Sequence, residues 1–370
     1  MLKVIEVSSD TNIGGAGRCL IILLSELNKE EFEPLVLLPK NSLLKPKIEE
    51  LCVKVCEADI APDKSLNLSD IFKFIKIFKR EKPDIVHTHA SMSARIAAKL
   101  CGIKTVYTRH SVFPPSQRIS KGLGKLINGF INNIFADSII AVADAAKDNL
   151  VKTGVSAKKI KVILNGVYPL KENCDKTALK KRFGVEEGEK VVSIVARLED
   201  IKGHDYFIDA ADMLLKKGYS IKFFIAGTGS YEAHLRDKVL SLNREKDIIF
   251  TGFLTDVDNL LRITDVQVNA SFGTEATSLS LLEGMSIGLP AVVSDFGGNP
   301  GVIQNGENGI IVPQKNAQKI ADSVEKLLCD SGLYERLSNG SRRIFNDKFT
   351  AQKMTEQTEQ IYKSLMEDYL

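Results

Sequence analysis

Arg197 closes an apolar run over residues 191–196, and Lys202-Gly203-His204 follows five residues later, at the head of a helical pattern through Ile208 and Leu214. Two cations are thereby placed just past a strand's carboxyl end, beside a helix N-terminus whose amides also attract an anion. That arrangement suits a diphosphate; on spacing alone, two ordinary solvated cations fit as well. Further on, Glu275 and Glu283 bracket Ala276-Thr277-Ser278-Leu279-Ser280-Leu281-Leu282. Leu279, Leu282 and Met285 fall on one buried helix face, with Thr277 or Ser278 as its cap. Glu275 precedes that helix and Glu283 lies about two turns in. A carboxylate offers two acceptor oxygens, so it can hold vicinal hydroxyls such as those of a sugar or ribose. The plainer reading of Glu283 is a buried charge in need of a partner.

Two other motifs carry less. Asp10-Thr11-Asn12-Ile13-Gly14-Gly15-Ala16-Gly17-Arg18 joins a first strand to an amphipathic helix, where glycines let amides approach an anion. It does not match the dinucleotide fingerprint G-x-G-x-x-G. Asp256-Val257-Asp258 spells D-x-D, a divalent-cation signature, but it follows Thr255 and precedes Leu260-Leu261. Acids in a helix's first turn account for it, and no metal site is expected.

The elements that position these residues alternate. Short apolar runs stand at residues 4–7, 35–38, 85–87, 106–108, 139–142 and 162–164. After the polar, linker-like stretch 168–189 they resume at 191–195, 221–226, 248–251, 266–269, 291–294 and 310–312. Such runs, separated by helix-length segments, read as parallel strands buried on both faces. Two doubly wound α/β domains follow. If their sheets face each other, their carboxyl ends flank one cleft. Residues 316–329 and 350–369 have helical periodicity, Thr350 serving as a cap. The chain has 370 residues, 44% hydrophobic and 26% charged, as expected of a globular protein with real cores. It has no apolar run of membrane-spanning length, and its first residues read as a strand rather than a signal peptide. Six scattered cysteines, Cys19, Cys52, Cys56, Cys101, Cys174 and Cys329, lack zinc-site spacing and read as structural and reduced, consistent with a cytoplasmic location.

Charge is uneven. Up to Tyr168 there are 25 Lys and Arg against 17 Asp and Glu; beyond it, 25 against 30. Residues 85–136 hold seven basic side chains and no acid. Within them Ile119, Leu123, Leu126, Ile127, Phe130 and Ile131 form one helical face beside Arg118, Lys121 and Lys125. A basic amphipathic helix of this kind can lie in an anionic membrane interface; packing of its apolar face into the core is the competing expectation. No nucleic-acid-reading motif accompanies the basic half, and no nucleic-acid partner is expected.

In order and spacing, these pieces resemble glycosyltransferase family 4, the retaining GT-B glycosyltransferases also described as glycosyl transferases group 1. The resemblance spans Gly14-Gly15-Ala16, Asp84-Ile85-Val86-His87-Thr88-His89, Asn165-Gly166-Val167, Arg197 with Lys202-Gly203, and Ala226-Gly227-Thr228-Gly229. It continues through Thr251-Gly252-Phe253, Glu275 and Glu283, Gly288-Leu289-Pro290 and Gly297-Gly298-Asn299-Pro300. It implies a GT-B fold of two Rossmann-like domains across a cleft. The acceptor-side domain would be residues 1–168, completed by a helix at about 350–370, and the nucleotide-sugar domain 169–349. The implied activity is metal-independent, retaining transfer of a hexosyl group from a nucleoside-diphosphate-sugar to a hydroxyl on a glycan or lipid-linked acceptor, in polysaccharide or glycolipid synthesis. Arg197 and Lys202 would neutralise the diphosphate, Glu283 would bind the ribose, and Glu275 would face the sugar. Phe253 and Leu254 would lie against the base. Gly15, Thr277, Ser278 and Leu279 would approach the donor, and His110 would sit near the sugar. No cofactor is implied, and a peripheral location on the inner membrane face would follow from the basic domain. The chain departs from the family in Ala276-Thr277-Ser278, where Gly-Phe-Gly is common, and in Gly301, where Glu is. A nucleotide-sugar epimerase and a non-catalytic nucleotide-sugar binder are the alternative readings.

Overall fold

In the computed structural model, which describes residues 1–113, 115–171 and 175–367, the chain forms two compact units. One runs from Met1 to Val167 and takes back the chain from Ala351 onward; the other is Tyr168–Thr350. Among the described residues the first unit holds β1 (Leu2–Ser8), β2 (Phe32–Pro39), β3 (Lys54–Ala58), β4 (Ile85–His89), β5 (Lys104–Arg109), β6 (Ser138–Ala141) and β7 (Ile160–Val162). They line up as β3-β2-β1-β4-β5-β6-β7. The second holds β8 (Lys190–Val195), β9 (Ile221–Ala226), β10 (Ile248–Gly252), β11 (Val266–Asn269), β12 (Ala291–Ser294) and β13 (Gly309–Val312), ordered β10-β9-β8-β11-β12-β13. Every paired strand is parallel. Both units are therefore doubly wound α/β, the expected class.

Alternation along the strands explains the two-sided cores. Val192 and Ile194 pack with Phe207, Ile208 and Leu214 on one face of the second sheet, while Val191 meets Phe224, Leu260 and Ile263 on the other. In the first unit Ile5, Val7 and Val86 face Phe74, Phe78 and Ala97. Glu6 and His87 therefore point to the opposite face. The order of each sheet reverses between two neighbouring strands, β1 and β4 in one, β8 and β11 in the other. In such sheets ligands bind beyond the carboxyl ends of those strands.

Several expectations need correction. The strand β3 escapes a search for apolar runs because it is a sheet edge, paired on one side only, and Lys54 and Glu57 are tolerated in it. β7 lies at 160–162, not 162–164. The linker-like stretch contains a helix, Lys176–Arg182, capped by the Asp175 carboxylate. The last helix is Ala351–Glu367, and residues 368–370 of the sequence-based span lie outside the described residues. Cys19 is buried and Cys52, Cys56, Cys101 and Cys329 are free thiols; Cys174 also lies outside the described residues.

Of the two expectations for the helix Gly122–Ile134, core packing is the one that fails, because its apolar face does not enter a core. Leu123, Leu126, Ile127 and Phe130 are 71%, 69%, 50% and 67% exposed. The helix docks by its other side. Gly129 is buried against the Gly154 backbone, too close for a Cβ. Asn128 donates to the Thr153 carbonyl at 2.7 Å, and the buried Asn132 accepts from Arg95 Nη1 at 3.0 Å. Asparagines and a glycine make the inner contact, so the leucines and phenylalanine are left facing solvent. Among the described residues no helix is long and apolar enough to cross a membrane.

Candidate active site

In the second unit, Arg197 and Lys202 follow β8, and Ser271 and Glu275 follow β11, the two strands at the point of reversal. Lys202 Nζ donates to the Thr274 carbonyl at 2.8 Å and pairs with Glu275 Oε2 at 3.1 Å. The same carboxylate oxygen accepts from Asn269 Nδ2 and Ser271 Oγ, each at 3.2 Å. Lys202 and Glu275 keep only 11% and 10% of their side-chain surface exposed. An ammonium has three protons, and two of Lys202's are taken by these partners. Arg197 is different: its side chain is 70% exposed and pairs with Glu199 at 2.9 Å. The sequence placed two cations side by side; in the structure each one has a carboxylate at hand.

Backbone geometry holds the cluster. Gly203 sits at φ +75°, in the left-handed region, and a Cβ there would lie 2.1 Å from the Ala270 carbonyl. Only glycine can turn the chain from Lys202 into the helix His204–Lys216 at that point. Across the loop, Gly298 donates its N–H to the Glu275 carbonyl at 3.0 Å, and a Cβ on it would strike Ala276 O. The Gly297-Gly298-Asn299-Pro300 motif is thus the backing of the Glu275 loop.

Glu283 is buried on the helix Leu279–Ser286, a little over one turn in rather than two. Leu279, Leu282 and Met285 are buried as expected. Ser278 takes the cap position, but its hydroxyl pairs with Ser280 Oγ at 3.0 Å and not with a helix N–H. Ser280 in turn reaches the Val195 carbonyl at the end of β8, 3.3 Å away. Thr277 and Ser278 are half-buried. Phe253, 66% exposed, and the half-buried Leu254 follow β10, two strands from β8. Asp256 stands at the N-cap position of the helix Val257–Ile263 without a side-chain capping bond, and Asp258 in its first turn pairs with Arg262 at 3.0 Å.

His204 opens the helix His204–Lys216 almost fully buried, its pKa pushed down to about 4 by burial first and by the neighbouring Lys202 second. A histidine whose pKa is lower folded than unfolded binds its proton more readily in the unfolded chain. Its penalty is absent above pH 6.5, grows as pH falls, and is complete near pH 4. From the shift it amounts to roughly 3 kcal/mol. The thermal midpoint is expected to fall between pH 7 and pH 4.5, and to fall less in His204→Asn; equal slopes in the two proteins would contradict this account.

In the first unit Gly15 is the first residue of the helix Gly15–Glu26, with no acid in its first turn and open space around its Cα. His110 follows β5 and belongs to a cluster that motif reading missed. His110 Nε2 lies 2.8 Å from His89 Nδ1, and His89 Nε2 lies 3.0 Å from Glu6 Oε2. His87 Nδ1 contacts the Tyr362 hydroxyl at 2.6 Å, and Tyr362 donates to Glu6 Oε1 at 2.7 Å. Glu6 is wholly buried in β1, beside His87 in register. Burial alone would raise its pKa, but His87 and His89 hold it well below the usual carboxylate range. Burial keeps both His87 and His110 neutral. A glutamate inside an apolar strand was the available signal, since such a charge requires partners. Glu6, His87 and His89 place three potential metal ligands within 4.8 Å of one another. Their atoms are already engaged with each other and with Tyr362 and Thr108, so a cation would have to displace existing hydrogen bonds.

Two family models match consecutive stretches of the chain: Glycosyltransferase Family 4 over residues 13–169 and Glycosyl transferases group 1 over residues 175–344. Among curated proteins, the UDP-Gal:alpha-D-GlcNAc-diphosphoundecaprenol alpha-1,3-galactosyltransferase of Escherichia coli is 29% identical over 312 residues, covering 80% of this chain and 79% of its own. The N-acetyl-alpha-D-glucosaminyl L-malate synthase of Bacillus anthracis is 26% identical over 303 residues, covering 80% and 78%. Among solved structures, HepE of Anabaena in complex with UDP and glucose superposes with a TM-score of 0.85 at 21% identity, over 98% of this chain and 100% of that one.

Proposed function

Since the chain belongs to the glycosyl transferases group 1, family 4 enzymes of GT-B fold, and is thus a glycosyltransferase, we propose that it moves a hexosyl group from a nucleoside-diphosphate-sugar to an acceptor hydroxyl with retention of configuration. The observation that carries this reading is the Lys202–Glu275 cluster, built at the carboxyl ends of β8 and β11. In the proposed reaction Lys202 and Arg197 stabilise charge developing on the departing diphosphate. Preorganised donors of this kind act where charge appears in the transition state, and they can do so without a divalent ion. Glu283 holds the ribose. The carboxylate of Glu275 faces the sugar hydroxyls, and the amides of Thr277, Ser278 and Leu279 approach the same group. Phe253 and Leu254 offer apolar surface to the base. In the first unit Gly15 presents an amide to the diphosphate and His110 a ring nitrogen to a hydroxyl. No cofactor takes part.

The acceptor proposed is a glycan or lipid-linked sugar, in polysaccharide or glycolipid synthesis. The E. coli relative, named as a galactosyltransferase from UDP-Gal to a diphosphoundecaprenol-linked GlcNAc, supports that class. So does the outward apolar face of the helix Gly122–Ile134, which suits an anionic membrane surface on the cytoplasmic side.

A thermal-shift screen of nucleotide-sugars, followed by incubation with and without acceptor, tests the reading. One donor is expected to raise the melting point, because a ligand that binds only the folded state stabilises it. Its sugar is then expected to be transferred only when acceptor is added. A new nucleotide-sugar formed from donor alone would mark an epimerase instead, and binding without turnover a non-catalytic protein.

A further inference from the structure

With the three histidines neutral, the hydrogen bonds among them run in one self-consistent direction. The ionised Glu6 carboxylate only accepts, so His89 Nε2, 3.0 Å away, carries a proton. A neutral His89 then has its lone pair on Nδ1, and the His110 nitrogen facing it at 2.8 Å, Nε2, must be the donor. A neutral His110 therefore has its lone pair on Nδ1. That atom is buried, makes no hydrogen bond among the described residues, and belongs to a ring lining a cavity that also touches Cys19, Asn165 and Met354.

The remaining members fit the same direction. Tyr362 gives its one proton to Glu6, so its oxygen accepts from His87 Nδ1–H at 2.6 Å. His87 Nε2 is then an acceptor, and Thr108 Oγ1 donates to it at 2.6 Å. Every proton has one place, and the network ends at a single open acceptor.

We propose that Glu6 and His89 are positioning residues that lock His110 in its Nε2–H tautomer, so that Nδ1 accepts a hydrogen bond from a substrate hydroxyl. The assignment of a substrate to that nitrogen rests on the glycosyltransferase reading; the tautomer does not. Direction matters because the opposite tautomer would present an N–H to the same place, and a hydroxyl's proton could no longer be received there.

Long-range nitrogen–proton NMR of the ¹⁵N-histidine-labelled full chain at pH 7 reads the tautomers directly. His110 is expected with Nδ1 bare and Nε2 protonated; a protonated Nδ1, or an imidazolium, overturns the proposal. In Glu6→Gln an amide N–H can face His89 Nε2 and reverse the relay. That variant is expected to move His110 to the Nδ1–H form and to lower kcat about tenfold with little change in donor KM. His110→Asn, which can place an oxygen near the Nδ1 position, is expected to keep more activity than His110→Ala; equal losses would overturn the acceptor role. If Glu6→Gln fails to fold, the wild-type spectrum and the His110 pair still decide. Wild-type protein with the expected tautomer but no transfer to any acceptor would sink the glycosyltransferase reading and leave the relay standing.

Discussion

Lys202→Ala is expected to lower turnover at saturating donor by about 10²–10³-fold, the usual cost of removing one charge-stabilising donor from a transition state. The structure adds a second effect. Lys202 is the ion-pair partner of a nearly buried Glu275, which would keep Asn269 and Ser271 as donors. Removing one member of a buried pair costs on the order of 3–5 kcal/mol, because the other charge is left uncompensated. A domain with about 5–15 kcal/mol of stability survives that loss at low temperature. The melting point should therefore drop while the protein stays folded at 20 °C, where kcat is measured. Adding Glu275→Gln removes the orphaned charge. The double variant should regain melting temperature, which would identify the uncompensated Glu275 charge as the source of the lost stability. Full activity in Lys202→Ala would refute its place at the diphosphate.

Leu126→Ser together with Phe130→Ser is expected to abolish binding to vesicles containing anionic phospholipid. Both side chains are about two-thirds exposed on the outward face of the helix Gly122–Ile134, and burying each in a lipid interface contributes about 1.5–3 kcal/mol. Their loss weakens partition by about 10²–10⁴-fold. Arg118, Lys121 and Lys125 add roughly 1 kcal/mol each near an anionic surface, so wild-type binding should fade in zwitterionic vesicles or high salt. Because neither leucine nor phenylalanine supports a core, the variant should melt no lower than wild type. Co-sedimentation that survives the substitutions, or a wild type that ignores anionic vesicles, would remove the membrane from the proposal.

That helix also marks where reading the chain residue by residue stops. Its apolar stripe is plain in the sequence, and a stripe normally faces a core. Whether it does depends on what the other side offers, and here Gly129, Asn128 and Asn132 satisfy the Thr153 carbonyl, Arg95 and the Gly154 backbone. Those partners are distant in sequence, and nothing local announces them.

The strand pattern, by contrast, was legible almost throughout, because buried parallel strands must be continuously apolar and their crossovers helical. Only the edge strand β3, free of that demand, went unread. The types and order of Arg197, Lys202, Glu275 and Glu283 could likewise be picked out from the chain alone, since each stands at the end of such a strand or on a helix that follows one. Tertiary structure decided what those charges do when they meet: Lys202 turns inward to Glu275, Arg197 stays outside with Glu199, and Gly203 and Gly298 hold the two loops by close backbone approach. It also decided the direction of the hydrogen bonds at His110. Glu6 and Tyr362, separated by nearly the whole chain, converge on one pair of histidines. A proton's position is fixed by contacts in space, and sequence order does not carry them.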